Sequence, residues 1–386
     1  MTAEHPLLPK IRAALHEVND PEIKRPITEL GMVGDIDVDD AGRARVHVKL
    51  TTEGCPLKGP LRLEVTNAVS AIEGISEVQV DLGVMDDEER KALRTLLRGG
   101  VVEREIPFGQ PGNLTKVIAV ASGKGGVGKS SVTVNLATAL AKQGHKVGLL
   151  DADIYGHSIP DMLGLGDARP TPVDDMIMPV PAGDLKVISV GMLKPSRDQV
   201  IAWRGPILDR ALTQLLADVY WGDLDYLILD LPPGTGDVAM SLGQKIPNSW
   251  VLVVTTPQDA AAEVAERAGT MAGIMQQKVI GVVENMSWLE TTCPHCHETH
   301  KVELYGSGGG EKVAAVLSER LGYEVPLVGQ IPMDVDLRRG GDEGVPIVDS
   351  HPLSSSAQAM YALAQTVSAR PRDFDLKKVR LDLNPA

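Results

Sequence analysis

The stretch GKGGVGKS, residues 123–130, decides the fold of this chain. It follows the apolar run Val117–Val120 and precedes a helical pattern over Lys129–Gln143. A glycine-rich turn between a buried strand and a helix lets successive backbone N–H groups curl around a phosphate, and the helix directs its positive end at the same charge. The motif therefore predicts an ATP site in which Lys129 reaches the β- and γ-phosphates and the Ser130 hydroxyl binds Mg²⁺. The residues expected at the nucleotide here are Gly123, Lys124, Gly125, Gly126, Val127, Gly128, Lys129, Ser130 and Ser131.

Short β-branched runs alternate with longer helical patterns from Lys116 onward. Continuous apolar strands separated by helices predict an α/β fold, a P-loop NTPase whose mostly parallel sheet is covered by helices on both faces. The further strands expected are Val147–Leu150, Val187–Val190, Tyr226–Leu229, Val251–Thr255, Val279–Val283 and Leu327–Gly329. The helices expected between them include Pro206–Val219, Asp259–Gln276 and Gly310–Leu321.

Residues 1–98 have a different pattern, typical of a small α+β domain. Residues 99–115 combine glycine, proline and charge without periodicity, which predicts a linker. We expect the P-loop domain to span residues 116–370 and a short tail to span residues 371–386. The elements expected in the first domain are helices at Pro9–Val18, Lys58–Ile72 and Asp86–Leu97 and strands at Val33–Val38, Arg43–Leu50 and Val78–Leu82.

The composition limits the function classes. A net charge of −14 argues against a protein that coats nucleic acid, because phosphate neutralisation needs clustered Lys and Arg. No apolar run approaches the ~18 residues of a membrane span, and the N-terminus has no signal-peptide pattern. Three cysteines are too few for a disulfide framework. We therefore expect a cytoplasmic protein that contacts neither nucleic acid nor membrane.

Three carboxylates follow predicted strands. Asp151 and Asp153 come after Val147–Leu150, and Asp230 comes after Tyr226–Leu229. Ligands of open α/β sheets bind at the carboxyl ends of the strands, where the glycine-rich loop also lies. Asp230 is the expected partner of Mg²⁺ with Ser130, and Asp153 is expected to orient the attacking water.

Lys124 is a second lysine in the loop, which phosphate binding by Lys129 does not require. A side chain that leaves the start of the loop can point away from its own phosphates and meet a nucleotide held by a facing subunit. There it would neutralise charge in the transition state, as an arginine finger does in trans. The alternative is a solvated surface lysine.

The sequence Cys293-Pro294-His295-Cys296 offers two thiolates to one metal site. A [4Fe–4S] cluster commonly takes four cysteines, so a two-fold dimer could supply Cys293 and Cys296 from each subunit. A zinc site within one chain that adds His297 and His300 is a second possibility, a disulfide-exchanging pair is a third, and a surface pair without function is a fourth. Cys55 is expected to be a half-buried structural cysteine.

The motifs together resemble the Mrp/ApbC family of iron–sulfur carrier ATPases. The resemblance lies in GKGGVGKS, DADIYGHSIPDMLG, DLPPGTGD, TTPQD and ENMSW…CPHC, and spans about Lys116 to Pro352. It implies a homodimer with ATP at the interface, Lys124 acting across it and a [4Fe–4S] cluster bridging two subunits. It also implies that Asn285 recognises adenine, that Gln258 and Asp259 respond to nucleotide, and that slow ATP hydrolysis accompanies cluster transfer from donors to apo-proteins.

The N-terminal unit resembles a small iron–sulfur-assembly domain. The shared motifs are Asn19-Asp20-Pro21-Glu22, Glu29-Leu30-Gly31-Met32-Val33 and Thr51-Thr52-Glu53-Gly54-Cys55-Pro56.

Two whole-protein alternatives remain at this point. One is a positioning ATPase of the MinD/ParA type, which usually needs an amphipathic membrane-binding tail or a basic DNA-binding face. The C-terminal segment is short and mixed in charge, which counts against it. The other is a zinc-stabilised, nucleotide-binding regulator.

Overall fold

A computed structural model describes residues 5–51, 57–97, 106–110, 112–154, 156–173, 176–194 and 205–371. Cys55, residues 99–105 of the expected linker and residues 372–386 of the expected tail lie outside these ranges.

The N-terminal unit is built around a three-stranded sheet in the order β1-β2-β3. β1 and β2 pair antiparallel, whereas β2 and β3 pair parallel. The parallel pair requires a crossover, which α2 provides between the two strands. The predicted elements are present with ends shifted by no more than two residues. They are α1 (Leu8–His16), β1 (Val33–Val38), β2 (Arg43–Leu50), α2 (Lys58–Ser70), β3 (Glu77–Val84) and α3 (Asp87–Leu97).

The rest of the described chain forms the predicted α/β domain. Its strands are β4 (Lys116–Ser122), β5 (Val147–Asp151), β6 (Thr171–Val173), β7 (Met176–Met178), β8 (Val180–Ala182), β9 (Leu185–Ser189), β10 (Tyr226–Asp230), β11 (Trp250–Thr255), β12 (Lys278–Thr292), β13 (Thr299–Val302) and β14 (Leu327–Met333). Its helices are α4 (Lys129–Lys142), α5 (Ile159–Met162), α6 (Gly205–Ala217), α7 (Asp237–Lys245), α8 (Asp259–Ile274), α9 (Gly309–Leu321), α10 (Val335–Glu343), α11 (Ile347–Ser350) and α12 (Ser355–Ser368).

The central sheet has the order β13-β12-β11-β4-β10-β5-β9-β8, and β14 also pairs with β12. All strands from β12 to β9 in this order run parallel, while β13 and β8 add antiparallel edges. Side chains alternate between two cores. Val117 and Ala119 of β4 pack on the face covered by α6 to α9, and Ile118 and Val120 pack on the face covered by α4 and α12. This confirms the two-sided parallel sheet.

Strand β12 is longer than the sequence pattern predicts. The apolar run ends at Val283, but the strand continues to Thr292 and then pairs with β13 as a hairpin. The continuation is amphipathic and increasingly exposed toward its end, so it lacks the apolar run from which Val279–Val283 was predicted. The cysteine pair therefore comes directly after the end of this long strand.

The small hairpin of β6 and β7 joins the core of the N-terminal unit. Val173, Met176 and Met178 are buried against residues of that unit, and the Thr171 hydroxyl donates a hydrogen bond of 3.0 Å to Glu22. The strand β7 also hydrogen-bonds to the segment after α6 through Ile177. The hairpin is thus shared between the two parts of the chain. No helix within the described ranges is long and apolar enough to cross a membrane.

Candidate functional site

The loop 123–128 connects β4 to α4 and lies at the carboxyl ends of the central strands. Gly126 and Gly128 have left-handed φ angles of 81° and 79°, which glycine adopts without steric cost. A Cβ atom at Gly125 or Gly126 would meet no atom within 4 Å, so open space adjoins the loop at both positions. The amide groups of the loop and of the first turn of α4 can bind a phosphate there.

Lys129, at the start of α4, lies beside the carboxylates of Asp153 and Asp230. Its Nζ is 2.7 Å from Asp230 Oδ2 and 3.8 Å from Asp153 Oδ2, and its side chain is only 6% exposed. The Ser130 and Thr133 hydroxyls donate hydrogen bonds of 2.6 and 2.7 Å to the two oxygens of Asp230. Asp230 therefore has one cation and two hydroxyl donors around a carboxylate that is almost fully buried.

Asp151 and Asp230 are side by side because β5 and β10 pair in register at these residues. Asp151 accepts hydrogen bonds from the Ser189 hydroxyl at 3.0 Å and from the Asp153 amide at 3.1 Å. Burial, and after it the negative charge of Asp230, raises the pKa of Asp151 to about 8. Asp151 thus holds a proton near neutral pH beside Asp230, whose carboxylate pairs with Lys129.

A cavity of about 660 Å³ lies over the loop. Its lining includes Lys124, Ser130, Asp153 and Asp237. The Asp153 carboxylate accepts a hydrogen bond of 3.0 Å from the Gly156 amide, which fixes it at the wall of the cavity. Lys124, like Asp153, lines the cavity of its own chain, and within the described ranges Lys124 has no salt bridge.

A second cavity of about 800 Å³ shares Gly128 and Ser131 with the first. Asn285 lines it, and its amide nitrogen donates a hydrogen bond of 2.9 Å to the Val127 carbonyl of the loop. The Asn285 Oδ1 is buried and has no hydrogen-bond partner in the described part of the chain. The two cavities can therefore receive the phosphates and the base of one nucleotide.

Two other expected residues have local partners. Gln258 precedes α8 and accepts a hydrogen bond of 3.4 Å from the Thr256 hydroxyl, and Asp259 pairs with Lys312 at 2.9 Å on the surface. Neither is among the residues that line the two cavities described above.

Cys293 and Cys296 lie at the tip of the hairpin formed by β12 and β13. The Cys293 amide donates to the Glu298 carbonyl, and the His297 amide donates to the Cys293 carbonyl, each at 2.9 Å. Backbone N–H groups of Cys296 and then His295, together with the Cys296 side chain, lower the pKa of the Cys293 thiol. Cys296 is exposed and Cys293 is partly so. The tip offers accessible sulfur donors outside the domain core.

Comparisons with known proteins identify the family of this chain. A family model described as the ParA-group NUBPL iron-transfer P-loop NTPase matches residues 113–368, and an iron-sulfur cluster assembly protein model matches residues 9–82. The iron-sulfur cluster carrier protein of Mycobacterium bovis is 54% identical over 96% of both chains.

The chain belongs to the iron-transfer P-loop NTPase family.

Further relatives lie at greater distance. The iron-sulfur cluster carrier protein of Escherichia coli is 46% identical over 78% of this chain and 79% of its own. A nucleotide-binding protein from Archaeoglobus fulgidus, solved in complex with ADP, is 37% identical and has a TM-score of 0.51 over 63% of this chain and 92% of its own. A P-loop NTPase of this family binds nucleotide, and P-loop NTPases in general hydrolyse it.

Two residues of this P-loop NTPase site were not anticipated. Thr133 follows Lys129 by one helical turn, so the spacing could have placed its hydroxyl near Asp230. Ser189 ends a strand that pairs with β5 beside Asp151, which only the sheet order reveals. At the cysteine pair, His300 was one of two candidate histidines, and it lies beside Cys296 because β13 folds back on β12.

We predict that Asp151→Asn flattens the dependence of stability on pH. The raised pKa means that the folded protein keeps a proton that the unfolded chain loses above about pH 4. In the wild type this group therefore lowers the free energy of unfolding as pH rises from about 4 to about 8, by at least roughly 1.4 kcal/mol. Urea titrations of both proteins at several pH values, followed by tryptophan fluorescence, measure this change in the free energy of unfolding.

A second variant sharpens this test. The Ser189 hydroxyl donates a hydrogen bond to Asp151 and lowers the pKa of Asp151. Ser189→Ala should therefore raise this pKa further, so that the fall in the free energy of unfolding extends to higher pH. Parallel pH profiles for Asp151→Asn and the wild type would show that Asp151 is ionised in the folded protein at the same pH as in the unfolded chain.

Proposed function

We propose that this protein is a slow ATPase that holds a [4Fe–4S] cluster between two subunits and transfers it to apo-proteins. The main observation behind the proposal is that strand β12 runs from the cavities to the cysteine pair. Asn285 of this strand lies at the nucleotide cavities, and Cys293 follows the end of the same strand. The eight residue steps from Asn285 to Cys293 span at most about 26 Å. One continuous element therefore joins the nucleotide site to the exposed thiols.

The phosphate end of the site fits ATP with Mg²⁺. Ser130 and Asp230 present oxygen donors 2.6 Å apart, and Mg²⁺ prefers oxygen ligands together with phosphate and water. These two residues would hold the ion, which neutralises charge on the β- and γ-phosphates when it is bound. Lys129 would then turn from Asp230 toward the phosphates.

Asp153 supplies the carboxylate for the attacking water in this proposal. It lies at the wall of the phosphate cavity, 3.8 Å from Lys129 Nζ, and the Gly156 amide fixes its orientation. A carboxylate held in this way can accept a hydrogen bond from water and orient it toward the γ-phosphate. The base would lie in the second cavity, where Asn285 Oδ1, which has no hydrogen-bond partner among the described residues, can accept a hydrogen bond from the adenine amino group.

Lys124 would complete the site of the facing subunit. Its lack of a salt bridge within the described ranges leaves its charge available to a phosphate. A two-fold dimer would then contain two sites, each with Lys129 from one subunit and Lys124 from the other.

Mixed dimers test the role of Lys124. Lys124→Ala and Lys129→Ala should each abolish ATP hydrolysis, because each removes one charge from both sites. After a one-to-one mixture has exchanged subunits, half of the dimers carry one intact site, so about a quarter of wild-type activity should return. No recovery, in a mixture shown by mass spectrometry to contain mixed dimers, would place Lys124 in its own subunit's site.

The cysteine pair supplies the cluster in the proposed dimer. Each chain offers two accessible thiols at the hairpin tip, and a [4Fe–4S] cluster commonly binds four. Two tips related by a two-fold axis would provide that number without any further ligand.

Anaerobic reconstitution with ferrous iron and sulfide tests cluster binding. The wild type should take up about four irons per dimer with matching sulfide, and Cys293→Ala/Cys296→Ala should take up none. Cys55→Ala, which removes the cysteine outside the hairpin, is the matched control and should keep the full iron content. Delivery to an apo-ferredoxin should be slower for Lys129→Ala than for the wild type.

Two results would count against the proposal. A wild-type protein that stays colourless and iron-free would remove the cluster from the account. Normal delivery by Lys129→Ala would separate the cluster from the nucleotide.

A further inference from the structure

The hairpin tip brings three different metal-binding side chains together within one chain. The Sγ atoms of Cys293 and Cys296 and a ring nitrogen of His300 all lie within 4.8 Å of one another. The Cys296 Sγ is 3.8 Å from the His300 Nε2. This grouping needs no second subunit.

The spacing of these atoms fits a single tetrahedral ion. Metal–sulfur and metal–nitrogen bonds of about 2.3 and 2.0–2.1 Å at a tetrahedral angle put the sulfur and the nitrogen about 3.6 Å apart, and two sulfurs about 3.8 Å apart. The 3.8 Å between Cys296 Sγ and His300 Nε2 is close to the first value. Small side-chain rotations therefore suffice to bind an ion.

The backbone of the hairpin sets this grouping. Thr292 pairs with Thr299 and Thr291 with His300, so β13 carries the His300 ring back beside the cysteines. His297 occupies the turn with a left-handed φ of 58° and does not join the group. Glu298 Oε2 lies 3.9 Å from Cys296 Sγ but is likewise outside it. The described residues thus supply three ligands and leave the fourth position to solvent.

We propose that each subunit alone binds one divalent transition-metal ion, Zn²⁺ or Fe²⁺, through Cys293, Cys296 and His300. A site with three protein ligands keeps an open coordination position, unlike a closed structural zinc site. An incoming sulfide or thiolate can bind at that position. This site rests on the proposed function only in that it uses the same two thiolates as the proposed cluster. It binds its ion without a dimer, so the two proposals can fail separately.

The single ion and the cluster exclude each other. In a [4Fe–4S] cluster each cysteine binds a different iron, so Cys293 and Cys296 must release a shared ion and His300 must leave before a cluster can bridge two subunits. Zinc bound in advance should therefore slow cluster reconstitution, and the loss of His300 should relieve that inhibition.

Cobalt and zinc binding to the full-length protein under anaerobic conditions test the site. The wild type should bind one Co²⁺ per chain with a tetrahedral thiolate spectrum, and zinc X-ray absorption should show two sulfurs and one imidazole nitrogen. His300→Ala should weaken zinc binding by at least the roughly 10- to 100-fold that loss of a ligand's hydrogen-bond partner costs. His295→Ala, an exposed histidine of the same tip, should bind as the wild type does, and His300→Cys should restore binding with three sulfurs.

Two results would overturn the inference. One is unchanged zinc affinity in His300→Ala. The other is one ion per two chains with four sulfur ligands, which would place the ion between subunits.

Cluster reconstitution of His300→Ala separates the inference from the proposed function. Normal uptake of about four irons per dimer by this variant, together with weakened zinc binding, supports both proposals. Zinc binding that depends on His300, in a wild type that forms no cluster, supports the single-ion site and removes the cluster.

Discussion

The structure of the site depends on two carboxylates buried side by side. The register of β5 and β10 places Asp151 and Asp230 together at the floor of the phosphate cavity, and both residues are fully buried. Two negative charges on adjacent side chains in a low-dielectric interior repel each other strongly. The proton on Asp151 removes one charge, and Lys129 with the Ser130 and Thr133 hydroxyls stabilises the other. Of the groups that balance Asp230, Lys129 is also expected at the nucleotide and Ser130 at Mg²⁺.

The sheet and the phosphate loop could be predicted because their signals are local and periodic. The run before Gly123, the spacing to Lys129 and the strands that end at Asp151 and Asp230 are all visible in the sequence. The pairing of Lys129 with Asp230 could not be predicted from the sequence, because it depends on which strands are neighbours in the sheet. The same holds for the end of β12, whose exposed residues lack a periodic apolar pattern. His297 and His300 were equivalent candidates until the hairpin register placed only His300 beside the cysteines.

The two cavities beside the glycine-rich loop contact two elements that lead elsewhere in the molecule. Strand β12 leads from Asn285 to the cysteine hairpin. The segment after Asp153 leads through α5 to the hairpin of β6 and β7, whose buried residues belong to the core of the N-terminal unit. The bond from Thr171 to Glu22 lies at this contact, so one of the motifs that resemble an iron–sulfur-assembly domain touches the α/β domain. The thiols and the hairpin that packs on the N-terminal unit are thus both joined along the chain to residues that line the cavities.

The most direct test of this account is ATP affinity, measured by calorimetry with and without Mg²⁺, for the wild type and Asp230→Asn. If Asp230 holds Lys129 in the free protein and Mg²⁺ in the complex, the variant should bind ATP at least as tightly as the wild type when Mg²⁺ is absent. The gain in affinity on adding Mg²⁺ should then shrink about tenfold or more, which corresponds to roughly 1.4 kcal/mol. An equal loss of affinity under both conditions would contradict the exchange of partners at Asp230.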